Sequence, residues 1–176
     1  EYPNFFSSQK QSFKEYNDNF YGVIFDLPIG FIEYIFDIQY SRNSYLLRHF
    51  SSYIIFLSGS VYFFLTLRKF YNLEISLIGL FFLVFTPRIF AESFYNNKDL
   101  LFLSLFCISN YYGISFFEKK TFKNLLKFGI FSGIAVGSRL AGLIIPFLIL
   151  FFLIIEFKEK DKILFFKKII LYALII

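Results

Sequence analysis

Four charged residues fall within a dozen positions of a chain that is otherwise apolar there: Arg88, Glu92, Lys98 and Asp99, in the stretch Thr86-Pro-Arg-Ile-Phe-Ala-Glu-Ser-Phe-Tyr-Asn-Asn-Lys-Asp99. The runs on either side, 75–85 and 100–117, hold only small polar and aromatic interruptions. Charges beside lipid are costly unless they reach water, pair or bind something, so a mixed-sign cluster at the mouth of two membrane helices is a candidate site. If the stretch is one helix, Glu92 and Asp99 share a face. The bland alternatives are a wet turn that ends two spans and, for Glu92, an ordinary ion pair to Arg88 four residues back. A third cation, Arg139, interrupts an apolar run over 128–155. A guanidinium at a helix break can hold a phosphate with two parallel hydrogen bonds, and it also reads as a snorkelling turn residue. Arg48 and His49 open another apolar run; a lone histidine there reads as a packed or solvated interfacial residue.

These residues must be positioned by membrane helices. Hydrophobic residues make up 57% of the 176, with 30 Phe and 13 Tyr, which marks an integral membrane protein. Methionine is absent, so the chain reads as a fragment. The single cysteine, Cys107, excludes a disulfide framework and a cysteine-based metal site and reads as a small core residue. The net charge of +5 is gathered in short loops between apolar runs, which points to membrane topology and away from nucleic acid.

Residues 1–44 read as a periplasmic loop ending in a juxtamembrane amphipathic helix. Asp26, Glu33 and Asp37 fall in a narrow sector of that helix, Asp26 suits its N-cap, and three acids favour a helix lying on the membrane over one crossing it. Residues 45–176 read as an all-α transmembrane bundle with spans at about 45–67, 73–87, 100–117, 121–138 and 140–155 and a truncated span from about 163. A single helix over 128–155 would be ~42 Å long against a hydrocarbon layer of ~30 Å, so a hairpin turning near Ser138-Arg139 is preferred. Under that topology the loops 68–72, 118–127 and 156–168 share one side with nets of +2, +3 and +2. The positive-inside rule puts them in the cytoplasm. The charged motif, the acidic helix and Arg139 then meet on the outer face. Gly129, Gly133, Gly137 and Ala141 recur every fourth residue, a ridge on which another helix could approach closely.

The order of these pieces resembles the membrane half of GT-C glycosyltransferases, in particular the family-39, protein-mannosyltransferase-like group that includes the aminoarabinose transferases. The landmarks are Asp26-Leu-Pro-Ile, Tyr45-Leu-Leu-Arg48-His-Phe, Arg68-Lys-Phe-Tyr, Thr86-Pro-Arg88 through Asn97-Lys-Asp99-Leu, and Phe131-Ser-Gly-Ile-Ala-Val-Gly-Ser-Arg139. They cover roughly residues 20–150. The resemblance implies a GT-C-like polytopic bundle and a polyprenyl-phosphate-linked sugar as donor. It further implies transfer of a hexosyl or pentosyl group at the periplasmic face of a bacterial inner membrane. Asp99 corresponds to an acid that helps hold a divalent metal ion or the donor phosphate region, Arg139 to a basic residue near the lipid phosphate, and Arg48 to a further family position. Glu92, on the same face as Asp99 if the segment is helical, is a second candidate carboxylate, and Arg88, Lys98 and Arg48 are further candidates for donor phosphate contact. The family's catalytic base is expected upstream, with Glu1 as one candidate. The partners implied are membrane lipid, the lipid-linked donor and an acceptor that is lipid, glycan or protein. A rival reading from another class is a secondary transporter or lipid flippase using 128–155 as a discontinuous helix. Its charges should lie near the bilayer centre and an inverted repeat should be visible; here the charges gather at one face and no repeat is seen.

Overall fold

The structure, a computed structural model, describes residues 23–38 and 41–155. Among these it is helical throughout, with seven α-helices and one 3-10 turn: α1 Asp26–Ile35, α2 Ser41–Phe70, α3 Leu73–Phe85, α4 Pro87–Tyr95, α5 Asp99–Lys119, α6 Phe122–Ser138, the 3-10 turn Leu140–Leu143, and α7 Ile144–Ile155. Two of them, α2 from Arg42 and α5, are long and apolar enough to cross a membrane, and α3 with α4 makes a third if that pair, bent by 60°, is one span. Glu1, residues 1–22 and the run from 163 lie outside the described residues.

The centre of the bundle is α5, packed on one side against α2 and on the other against α6. Its buried positions, from Leu100 and Leu101 through Ser104, Leu105, Ile108, Tyr112 and Phe116, recur at three- and four-residue steps along both contact faces. Small residues set the closest approach: a Cβ on Gly59 of α2 would lie 2.5 Å from the Ser104 Cα of α5. Helices that associate in lipid depend on such van der Waals contact, since burial from water supplies little there. Outward-facing Phe81, Phe82 and Phe85 of α3 and Phe147 and Phe151 of α7 are exposed, as lipid-facing side chains are.

Two links fix the direction of the helices. At one end Lys69 Nζ stands 2.5 Å from Glu118 Oε2, so the C-termini of α2 and α5 are neighbours. At the other end His49 donates its Nδ1–H to the carbonyl of Phe94, tying the start of α2 to the end of α4. Phe94 lies in the last turn of its helix, where carbonyls have no intrahelical partner, and this contact fixes the His49 tautomer. A Cβ on Gly113 of α5 would touch both Ile149 of α7 and Phe128 of α6. Those two residues lie about equally far on either side of Arg139, so the chain doubles back at that residue.

Several local expectations need correction. The ridge expected from Gly129, Gly133, Gly137 and Ala141 is met in part: Gly129 is buried and a Cβ on Gly137 would stand 2.7 Å from Ile24, just ahead of α1, while Ala141 falls in the 3-10 turn and the rest of the buried stripe of α6 is Leu125, Phe128, Ser132, Ala135 and Ser138. Asp26 is the first residue of α1 and not its cap, which is Phe25. Asp37 lies beyond the helix with φ 49. Asp26 and Glu33 are not left to water alone: both pair with Arg48 of α2, Glu33 largely covered and Asp26 still half exposed, while Leu27, Phe31 and Tyr34 point outward, Tyr34 with 84% of its surface exposed.

Candidate functional site

The charged motif is built by two breaks in the chain. Thr86 precedes a proline and is held extended, with φ −59 and ψ 117, because the proline ring disfavours a helical conformation before it. Pro87 then occupies the first turn of α4, where its missing N–H costs nothing. Nine residues later Asn96 ends that helix, its N–H donating to the Glu92 carbonyl at 2.8 Å. The same residue starts the next helix, since its Oδ1 accepts the backbone N–H of Asp99 at 3.0 Å. Asparagine suits both tasks because its short amide reaches backbone groups two or three residues on.

Glu92 and Asp99 therefore do not share a face of one helix, as their spacing suggested; they sit on different helices and are joined by a side chain. Asn96 Nδ2 donates to Glu92 Oε2 at 3.2 Å and to Asp99 Oδ2 at 3.0 Å. Arg88 Nε donates to Glu92 Oε1 at 3.0 Å, and Arg139 Nη2 pairs with Asp99 Oδ1. The result is one continuous polar chain, Arg88–Glu92–Asn96–Asp99–Arg139. Its Arg88 end is open to solvent, that side chain 87% exposed, while Glu92 is 20%, Asp99 41% and Arg139 30% exposed. Lys98 directly precedes Asp99 and is partly buried.

Arg139 reaches this site because α6 stops there. Its backbone is extended, its N–H donates to Ala135 O at 3.1 Å, and its carbonyl accepts the Gly142 N–H at 2.8 Å. Gly142 lies against the backbone of α6, where a Cβ would stand 2.6 Å from the Ala135 carbonyl carbon. Only glycine lets the 3-10 turn close this tightly, and the turn fixes where the guanidinium emerges.

Arg48 is placed elsewhere. Its Nε and Nη2 donate to the two oxygens of Glu33, each at 2.9 Å, and its Nη1 to Asp26 Oδ1 at 2.9 Å. Ser44 also donates to Glu33. The Arg48 hydrogen bonds hold the Glu33 carboxyl below the usual carboxylate range, against the desolvation that acts the other way. Arg48 thus anchors α1 to α2, two carboxylates already occupying its fork.

Sequence reasoning missed Asn96 and the role of His49. A neutral amide in a polar turn carries no charge signal, although an asparagine three residues before a helix-starting aspartate is a recognisable cap arrangement. It also missed that α4 is helical and held in place, by His49, by the stacking of Phe94 on Tyr53 with centroids 4.8 Å apart, and by buried Ser93. Among the described residues no group of three His, Cys, Asp or Glu converges as a metal site. Glu92 is met by Arg88 and Asn96, and Asp99 by Asn96 and Arg139, so both carboxylates are arranged here as partners of guanidinium and amide donors.

Among the described residues, a helical bundle with helices long and apolar enough to cross a membrane and a charged cluster at one end has the form of a polytopic membrane protein. The chain belongs to the dolichyl-phosphate-mannose-protein mannosyltransferase family, whose model matches residues 31–176. It is in that sense a membrane glycosyltransferase of the GT-C type. No curated protein and no solved structure matches it.

Proposed function

We propose that the protein moves a sugar from a polyprenyl-phosphate-linked donor to an acceptor hydroxyl at the periplasmic face of a bacterial inner membrane, and that the Asp99–Arg139 pair belongs to the donor site. The observation that carries this reading is that pair, with Asn96 joining Asp99 to Glu92. The family's description supports a sugar carried on a polyprenyl-type phosphate. The lysine-rich loop 118–127 lies at the opposite end of α5 and supports an outer placement of Asp99.

In this reaction the bond between the sugar carbon and the phosphate oxygen breaks, the acceptor oxygen bonds to that carbon, and polyprenyl phosphate leaves. Negative charge grows on the leaving phosphate, and preorganised cations there lower the barrier. Arg139 supplies that charge: a guanidinium has five donors, so it can remain on Asp99 and still engage a phosphate. Asp99 and Glu92 orient the guanidinium groups of Arg139 and Arg88, and Lys98 adds a further cation beside Asp99. We assign the positive charge to these side chains and not to a divalent ion. The base that takes the acceptor proton lies outside the described residues. The family match favours this reading over a transporter or flippase.

The test is release of polyprenyl phosphate from a polyprenyl-phosphate-linked sugar by the intact protein in proteoliposomes. Wild type should release it, and Asp99→Asn should slow release by about 100-fold or more, the scale seen when a preorganised electrostatic partner is removed. Unchanged release by Asp99→Asn would remove Asp99 from the donor site.

A further inference from the structure

At the end of the bundle opposite Asp99, α2, α5 and α6 line an open cavity of about 370 Å³. This volume falls within the ~300–1,000 Å³ of ordinary small-ligand pockets. Among the described residues three lysines line it, Lys69, Lys119 and Lys127, against one acid, Glu118. Two of the ammonium groups are held against the wall by aromatic rings and by single polar contacts. Lys69 Nζ lies 4.9 Å from the Tyr111 ring centroid and 2.5 Å from Glu118 Oε2. Lys127 Nζ lies 4.8 Å from the Tyr112 ring centroid and donates to the Tyr112 hydroxyl at 3.3 Å. That hydroxyl is in turn 2.9 Å from the hydroxyl of Tyr62, which also lines the cavity.

The chemistry is that of an anion site. An ammonium has three donors, and each of these two spends one on the protein. Lys69 is largely withdrawn from solvent, its side chain 15% exposed, and Lys127 is partly buried in the second turn of α6. Charges placed so are expensive. Among the described residues the lining holds three ammonium groups and one carboxylate, Glu118, which pairs with Lys69.

We propose that this cavity binds the phosphate of an anionic lipid headgroup. A lipid is favoured over a soluble phosphate because the cavity opens among the ends of membrane helices, where lysines 119, 120 and 123 follow one another on the chain at headgroup level. Basic pockets between helices on the cytoplasmic side hold anionic headgroups in this manner. The site lies at the other end of the bundle from Asp99 and does not depend on the sugar-transfer reading.

The test is the thermal unfolding midpoint of the delipidated intact protein in a neutral detergent, with phosphatidylglycerol, phosphatidylcholine or inorganic phosphate added. Phosphatidylglycerol should raise the midpoint by several degrees, as a ligand bound only by the folded state does. Phosphatidylcholine and inorganic phosphate should leave it unchanged. The shift should be lost in Lys69→Gln and in Lys127→Gln, and kept in Lys127→Arg and in Lys123→Gln, whose lysine is exposed and outside the cavity lining. Should the glutamine variants fail to fold, loss of the shift on occluding the cavity by Ser115→Phe is the equivalent result. An equal shift with phosphatidylcholine, a shift with inorganic phosphate, or a shift that survives in the glutamine variants would each overturn the proposal.

Discussion

Asp99, the first residue of α5, is ion-paired with Arg139, the residue at which α6 ends. The pair joins two chain breaks: Asn96 makes one and the Gly142 contact makes the other. Asp99 and Arg139 are therefore held by backbone geometry as well as by each other, which is what a preorganised charged site requires.

The first prediction concerns Asn96. Asn96→Ala removes the amide that joins Glu92 to Asp99 and the side-chain acceptor of the Asp99 N–H at the start of α5. Loss of a hydrogen bond of this capping kind costs ~1 kcal/mol, a modest fall in stability. Donor turnover should fall by a larger factor, about tenfold or more, because both carboxylates lose a common partner. Unfolding midpoints and turnover measured on the same preparation check this; a fall in stability with unchanged turnover would make Asn96 a purely structural cap.

Gly142 and Gly59 should behave differently. A Cβ at Gly142 meets the α6 backbone at Ala135, so Gly142→Ala must shift the 3-10 turn and with it Arg139. Turnover should fall even where the protein still folds. At Gly59 a Cβ meets the Ser104 backbone of α5, more than a turn along the helix from Asp99 and in contact with no member of the charged chain, so Gly59→Ala should cost about 1–3 kcal/mol of stability by overpacking. The turnover of the folded fraction should be preserved. Detergent-solubilised unfolding curves beside specific activity separate the two.

The contact between α1 and α2 should be pH dependent. Arg48 holds Glu33 below the usual carboxylate range, so the folded state binds that proton less readily than the unfolded chain. The stabilisation is complete above the usual carboxylate range and is lost as pH falls through it toward the lowered pKa of Glu33. In Glu33→Gln the unfolding midpoint should be lower at neutral pH and should fall less steeply on acidification. An acid limb identical to that of wild type would show that the Glu33–Arg48 contact contributes nothing.

A chelator should leave donor turnover intact, since Arg88 and Arg139, and no metal ion, are assigned to the oxygens of Glu92 and Asp99. Loss of turnover on chelation with recovery on adding a divalent ion would reverse that assignment.

What could be read from the sequence followed charge and apolar length. Glu92, Asp99 and Arg139 stand out because each is a charge beside a long apolar run, and the break at Arg139 was suggested by a run too long for one crossing. What could not be read depended on partners distant in sequence. Asp26 and Glu33 were seen to share a face, but that their cation is Arg48 on another helix is set by tertiary packing. Lys127 counted in the sequence as one more positive charge of the loop 118–127; the tyrosines that make its surroundings a cavity come from α2 and α5. Asn96 was passed over because a neutral amide carries no such mark in a turn already rich in polar residues.

The most direct measurement of the central claim compares donor turnover in Arg139→Ala and Arg48→Ala, both arginines that the sequence placed near a phosphate. The account predicts that Arg139→Ala loses turnover by about 100-fold or more while Arg48→Ala, which anchors α1, keeps the turnover of its folded fraction near wild type. Wild-type turnover in Arg139→Ala would contradict it.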